Sequence, residues 1–180
     1  IGRAGAPEAK ALLQGADLVL AAGTRLAQFT TMYDHSVIPA NAPILQIEID
    51  PKEIGRNYPV EVGLAGDARE TLRALIAALR AGRGDWPRNT EHLGAVAQRK
   101  RERAERLAAA ERLDSSPMQP RRVHAELRRA LPRDTVICID GGTTIAPTFN
   151  MYDFNQPRSF VTPVDAGCLG FAYPASIGAK

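Results

Sequence analysis

The chain has 180 residues, with 23 Lys and Arg against 20 Asp and Glu, a formal charge of +3, and 44% hydrophobic and 24% charged residues. That is room for one domain or one and a half of an ordinary globular protein, and the mild basic balance favours small anionic ligands without pointing to nucleic acid. Cys138 and Cys168 are too few for a disulfide framework and sit at no metal-ligand spacing, and no apolar run approaches a membrane span or a signal peptide, so a reduced, cytoplasmic protein with no membrane contact is expected.

In chain order, Pro7 to Gly15 reads as a short helix, with Pro7 in its first turn, apolar positions at Ala9, Leu12 and Leu13, and Gly15 at its end. The run Ala16-Asp17-Leu18-Val19-Leu20-Ala21-Ala22-Gly23 has the length of a strand, and its continuous hydrophobicity predicts a parallel strand buried on both faces. Pro43 to Asp50 alternates apolar and polar residues, a second strand parallel to the first. Asp67 and Glu70 have capping-box spacing, and Leu72, Leu75, Ile76 and Leu79 follow at helical intervals, which predicts a helix opening at Asp67. Strand, linker, strand and helix with acidic strand ends is a doubly wound nucleotide-fold pattern. Asp50 and Asp67 are candidate ligand contacts there, with local capping and turn roles as the alternative.

Residues 81–87 have loop chemistry, with Trp86 as a packing anchor. Val96 to Leu113 is a charged helical pattern in which Glu102, Glu105 and Glu111 interrupt the arginines and no aromatic residue interleaves for base stacking. A solvated helix laced with ion pairs, such as Glu102 with Arg106, fits better than a nucleic-acid surface. Pro120 starts another helix, on which Val123, Leu127 and Leu131 share a face, and Pro132 stops it. His124 sits on or beside that face as a surface or packing residue, and His35 and His92 have no supporting ligand residues nearby.

The last stretch, 135–180, holds two glycine-bearing turns, each after a short strand pattern near 135–139 and 160–162. The first is Asp140-Gly141-Gly142-Thr143-Thr144 and the second Ala166-Gly167-Cys168-Leu169-Gly170-Phe171. Strand-end glycines let the backbone approach a ligand closely, and the adjacent threonines add hydroxyl donors, so a shared anionic-ligand site is expected.

The second turn continues into Gly167-Cys168-Leu169-Gly170-Phe171-Ala172-Tyr173-Pro174-Ala175-Ser176-Ile177-Gly178-Ala179-Lys180, which resembles the thiazolium-supporting stretch of the acetolactate synthase superfamily of thiamine-diphosphate enzymes. The resemblance implies that Gly142, Thr143 and Thr144 meet the diphosphate, that Gly167 and Cys168 lie in the supporting loop, and that Leu169 is the wedge under the bent cofactor. Many relatives have Gln-His at the threonine pair and Met at the wedge. The first half resembles the superfamily's central domain through Ala16-Asp17-Leu18-Val19-Leu20, Gly23-Thr24-Arg25-Leu26, Ile47-Glu48-Ile49-Asp50-Pro51 and Gly66-Asp67-Ala68. That makes Gly23, Thr24, Arg25, Asp50 and Asp67 candidates for a nucleotide or FAD site. In biosynthetic acetolactate synthases an acidic pair and a second arginine follow the first arginine. Here the segment reads Arg25-Leu26-Ala27-Gln28-Phe29, which argues against FAD and looks more like the sulfoacetaldehyde acetyltransferase branch.

The resemblance implies an α/β fold, with a Rossmann-like central domain over 1–82, a linker with a charged helix over 83–118, and the start of a parallel thiamine-diphosphate-binding domain over 119–180. Ends at Ile1 and within a helical pattern at Lys180 suggest a fragment of a longer enzyme, itself inactive, whose parent acts on a 2-oxo acid or aldehyde as a homodimer or homotetramer. The Mg²⁺ ligands and the glutamate that activates the cofactor would lie outside the chain, and no catalytic residue can be named within it. The alternatives are acyl transfer to phosphate, as in sulfoacetaldehyde acetyltransferase, and a non-catalytic nucleotide-binding module.

Overall fold

The computed structural model describes residues 2, 5–82, 89–163 and 166–180. The loop expected through 81–87 lies mostly outside them, as does Trp86. The chain divides into two compact units: one comprises residues 1–3 and 7–98, the other residues 4–6 and 99–180.

In the first unit, α1 (Pro7–Gln14) leads into β1 (Val19–Ala22), the short helix α2 (Gln28–Thr31), β2 (Ile44–Glu48) and β3 (Val62–Ala65), followed by α3 (Ala68–Gly82). The strands form one parallel sheet in the order β1-β2-β3, with Val19 opposite Ile44 and Leu45 opposite Val62. β3 escaped the sequence reading because Gly63 interrupts its apolar pattern. The glycine is required by packing: a Cβ there would overlap Cγ2 of Ile54.

The core of this unit joins Val19, Ala21, Leu26, Ile38, Ala42, Ile44 and Tyr58. It lies against one face of β1. The expectation of burial on both faces fails, because Leu18 and Leu20 remain 48% and 45% exposed beside buried Val19 and Ala21. α3 forms where its cap and stripe predicted, and the Asp67 carboxylate accepts from the amides of Arg69 (2.9 Å) and Glu70 (3.1 Å). Its apolar stripe is only partly covered: Leu72 and Leu75 are half-buried, while Ile76 and Leu79 are exposed.

α4 (Thr90–Glu111) begins at Thr90 rather than Val96, because the Asn89 side chain accepts from the His92 amide (2.9 Å) and caps it. Its surface is mostly exposed and includes the Arg99–Glu102 pair (2.9 Å), as a solvated helix should.

The second unit continues with α5 (Pro120–Ala130), β4 (Ile137–Cys138), α6 (Ile145–Met151), β5 (Phe160–Val161) and α7 (Ala172–Ala179). β4 and β5 pair in parallel, with Ile137 opposite Phe160. Buried Arg121 on α5 pairs with Glu111 of α4, and Arg128 donates to the Tyr152 hydroxyl (2.8 Å). Val123 and Leu127, which share the apolar face read from the sequence, are 38% and 43% exposed, so α5 turns Arg121 and Ala125 inward instead. His124 is a packing residue: its Nε2 lies 2.9 Å from Thr148 Oγ1 on α6, and its ring meets Tyr152 edge-on. A row of rings, Tyr152, Phe154, Phe160 and Phe149, links successive neighbours at 4.9, 4.7 and 5.1 Å between centroids. Among the described residues, no helix is long and apolar enough to cross a membrane.

Candidate functional site

Two sets of candidate residues fall in different units. In the first unit they sit where the strands of the parallel sheet end, the edge at which open α/β sheets receive ligands. Gly23 follows β1 with φ of 65°, and its amide donates to the Ile47 carbonyl (2.8 Å). Thr24 turns the chain by accepting from the Leu26 amide through its hydroxyl (3.2 Å). Arg25 lines a pocket with Tyr33, Glu53, Arg56 and Asn57. Asp50 and Asp67 take no part in that pocket's wall. Asp50 caps the 3₁₀ turn Pro51–Glu53 by accepting from the Lys52 amide (3.0 Å), and Asp67 caps α3.

Gln46 holds this loop cluster together, and sequence reading missed it. Its side chain is 2% exposed, on the middle strand. Its Nε2 donates to the carbonyls of Thr24 (3.0 Å) and Glu53 (3.3 Å), and its Oε1 accepts from the Gly55 amide (2.9 Å). One amide thereby satisfies three backbone groups from two loops, and a buried polar side chain needs such partners. In a strand pattern that alternates apolar and polar residues, a buried glutamine gives no local signal. The Arg25 pocket has a buried polar feature of its own: Glu53 pairs with Arg56, yet its Oε2 is buried without a partner. Around it, Leu26, Met32 and Tyr33 adopt left-handed backbone with φ of 53°, 63° and 57°, conformations that side chains other than glycine adopt under constraint.

In the second unit, the two glycine turns come together although 21 residues of sequence, 145–165, separate them. The first follows β4 and opens a 3₁₀ turn (Gly142–Thr144) that runs into α6. The second follows β5 and opens α7. The Gly141 amide donates to the Cys168 carbonyl (3.0 Å). Gly141 is buried, and a Cβ there would overlap the carbonyl of Gly167, so only glycine allows this approach. Gly142, Gly167 and Gly170 have φ of 84°, 62° and 80°.

Asp140 links the turns as well. Its two carboxylate oxygens accept from the amides of Ala172 (2.5 Å) and Gly170 (3.0 Å). Those bonds, that of Ala172 foremost, hold its carboxyl below the ordinary aspartate range against a smaller opposing effect of desolvation. Sequence reading placed Asp140 in the first turn without a role. Its reach to residue 172 is a long-range contact that no local pattern announces.

Thr143 and Thr144 are exposed on the rim of the first turn, and the Thr144 carbonyl accepts from the Thr148 hydroxyl (2.8 Å). Cys168 is a free, exposed thiol whose carbonyl makes the contact with Gly141. Leu169 is 78% exposed, with Cδ2 3.7 Å from the position a Cβ would take on Gly142. The structure thus brings Gly142, Thr143, Thr144, Gly167, Cys168 and Leu169 into one region, with hydroxyls, a near-bare backbone and one exposed apolar side chain. Such a surface suits a ligand with an anionic end and an apolar ring.

Residues 1–75 match the family described as thiamine pyrophosphate enzyme, central domain. Over the whole chain, identity is 30% with a sulfoacetaldehyde acetyltransferase of Roseovarius nubinhibens, covering 32% of that protein. Identity is 35% with a probable 2-ketoarginine decarboxylase of Pseudomonas aeruginosa, over 94% of this chain and 28% of that protein. It is 30% with the acetolactate synthase large subunit of Corynebacterium glutamicum, over 99% of this chain and 28% of that protein. The chain spans about a third of the length of the curated relatives it matches. Residues 1–75 thus match the thiamine pyrophosphate enzyme central-domain family, and the chain as a whole is similar to about a third of the length of sulfoacetaldehyde acetyltransferases and acetolactate synthase large subunits.

Proposed function

We propose that the polypeptide carrying this chain is a thiamine-diphosphate-dependent enzyme that breaks or forms the bond beside the carbonyl carbon of a 2-oxo acid or an aldehyde. The observation that carries this reading is the meeting of the two glycine turns through Gly141, Cys168 and Asp140. The donor set fits the cofactor. Exposed Thr143 and Thr144 would hold the diphosphate, with Gly142 giving it access to the backbone, and Leu169 would press on the thiazolium from the second turn. Thiamine diphosphate supplies a carbanion equivalent for the bond change, chemistry that no side chain here offers. The chain's own part is to bind the diphosphate, set the direction of Leu169 and keep the turns at a fixed separation. A requirement for Mg²⁺ with the cofactor, a cytoplasmic location and a homodimeric or homotetrameric assembly belong to the same reading.

The choice between ligation of the acetolactate synthase kind and acyl transfer to phosphate falls to the second. Gly23-Thr24-Arg25-Leu26 lacks the acidic pair expected of a flavin-holding segment, which favours that branch; similarity over the chain does not separate the two, since sulfoacetaldehyde acetyltransferases and acetolactate synthases both match over nearly all of it. A non-catalytic nucleotide module accounts for the Arg25 pocket but leaves the second unit's turns without a purpose.

The test is titration of thiamine diphosphate with Mg²⁺ into the full polypeptide and its Thr143→Val/Thr144→Val variant, followed by calorimetry. Hydrogen bonds to charged groups contribute on the order of 1.5–3 kcal/mol each, so affinity should fall at least about tenfold. Unchanged affinity would remove the threonines from the site.

A further inference from the structure

Leu169 is held from both sides by the chain segment 140–141. The Cys168 carbonyl, one residue before it, accepts from the Gly141 amide (3.0 Å). The Gly170 amide, one residue after it, donates to Asp140 (3.0 Å), and the Ala172 amide takes the other carboxylate oxygen (2.5 Å). A leucine 78% exposed has little packing to fix its direction, so the backbone beneath it must do so. That backbone runs between Gly167 and Gly170, both at positive φ, and glycine-rich segments have many conformers of similar energy. The bonds to Asp140 and Gly141 select one of them.

We propose that Asp140 is a positioning residue: its two carboxylate oxygens clasp the second turn so that Leu169 is presented in its working direction before any ligand binds. The inference rests on the reading that these turns meet thiamine diphosphate. It adds that the wedge is preset by a residue that need not touch the cofactor. The chemistry of the clasp requires a carboxylate. Two amides approach two different oxygens, and an asparagine of the same shape has one oxygen and an NH₂ that cannot accept.

Asp140→Asn in the full polypeptide tests this with three readouts. Amide hydrogen exchange of the cofactor-free protein over 166–172 should quicken by about tenfold or more, since each lost acceptor frees an amide. Affinity for thiamine diphosphate with Mg²⁺ should stay within about threefold, because the bonds lost reach Gly170 and Ala172 and leave Gly142, Thr143 and Thr144 in place. Turnover should fall by about tenfold or more, and Leu169→Ala added to Asp140→Asn should lower it little further, since both act through one side chain. A structural role alone would instead lower affinity and turnover together. Unchanged exchange, or equal losses of affinity and turnover, would overturn the proposal.

A second measurement keeps the proposal open to refutation should the variant not fold. In the unaltered protein, the amides of Gly170 and Ala172 should exchange at least about tenfold more slowly than that of Leu169, and equal rates would refute the clasp. If the unaltered protein takes up no thiamine diphosphate, the cofactor reading fails while the exchange comparison still decides the clasp.

Discussion

A hydrogen-bonded side chain braces the candidate loops in each unit, Gln46 in the first and Asp140 in the second, but the bodies of the two units are consolidated by different means. In the first, loops hang from a three-stranded parallel sheet, and an apolar cluster from Val19 to Tyr58 fills the space under it. In the second, β4 and β5 are two residues each, and its bonds are largely polar: Asp140 to α7, Arg121 to Glu111, His124 to Thr148. A ring row from Phe149 to Tyr152 adds apolar contact. Apolar burial is tolerant of direction, whereas hydrogen-bonded clasps fix it. The unit that must aim one exposed leucine uses the directional kind.

Three measurements, in falling order of expected effect, break or sharpen this contrast. Ile38, 1% exposed, belongs to the first unit's core, and Ile38→Ala should destabilise that unit by about 4 kcal/mol in urea unfolding, the usual range for a buried isoleucine truncation. A much smaller loss would mean that the core cluster is not what holds the sheet.

Gln46→Ala strands the Gly55 amide and leaves the Thr24 and Glu53 carbonyls without their donor, so about 2 kcal/mol should be lost in the same assay. Stability within error of the unaltered protein would show that water replaces the side chain.

The smallest effect is one of pH. The Asp140 carboxyl is depressed in the folded chain, so its contribution is present above the ordinary aspartate value, about pH 4, and is lost as pH falls through the lower folded value. Followed by NMR, the Gly170 and Ala172 amide signals should shift together in that acid window while those of Val19 and Ile44 stay still. Independent movement of the two amides would separate them from a common carboxylate.

Much of this was legible in the sequence wherever a local pattern carried it. The β1 and β2 runs, the Asp67 cap, the Pro120 helix and both glycine turns lie where periodicity and capping place them. What escaped was set by distant partners. β3 has a glycine because Ile54 packs against it, and α4 starts early because Asn89 caps it. Continuous hydrophobicity in β1 suggested two covered faces, yet burial depends on what is packed there, and Leu20 is exposed. On α5, the apolar spacing of Val123 and Leu127 competes with an ion pair that draws Arg121 inward. At the candidate site, residue types and turns were visible. The bond from Asp140 to Ala172 was not, because it joins residues 32 apart in sequence.

The absent side chain at Gly141 has a consequence for how this region can vary. Because a single methyl group there would drive into the Gly167 carbonyl, the spacing between the turns is a backbone thickness that no neighbouring change can make good without moving both. Cys168, by contrast, lends the contact only its carbonyl, and its thiol points into open solvent. In a library randomising both positions, sequences that keep a working protein should therefore be diverse at Cys168 and invariant at Gly141. The more reactive residue of the pair would then be the freer one to change.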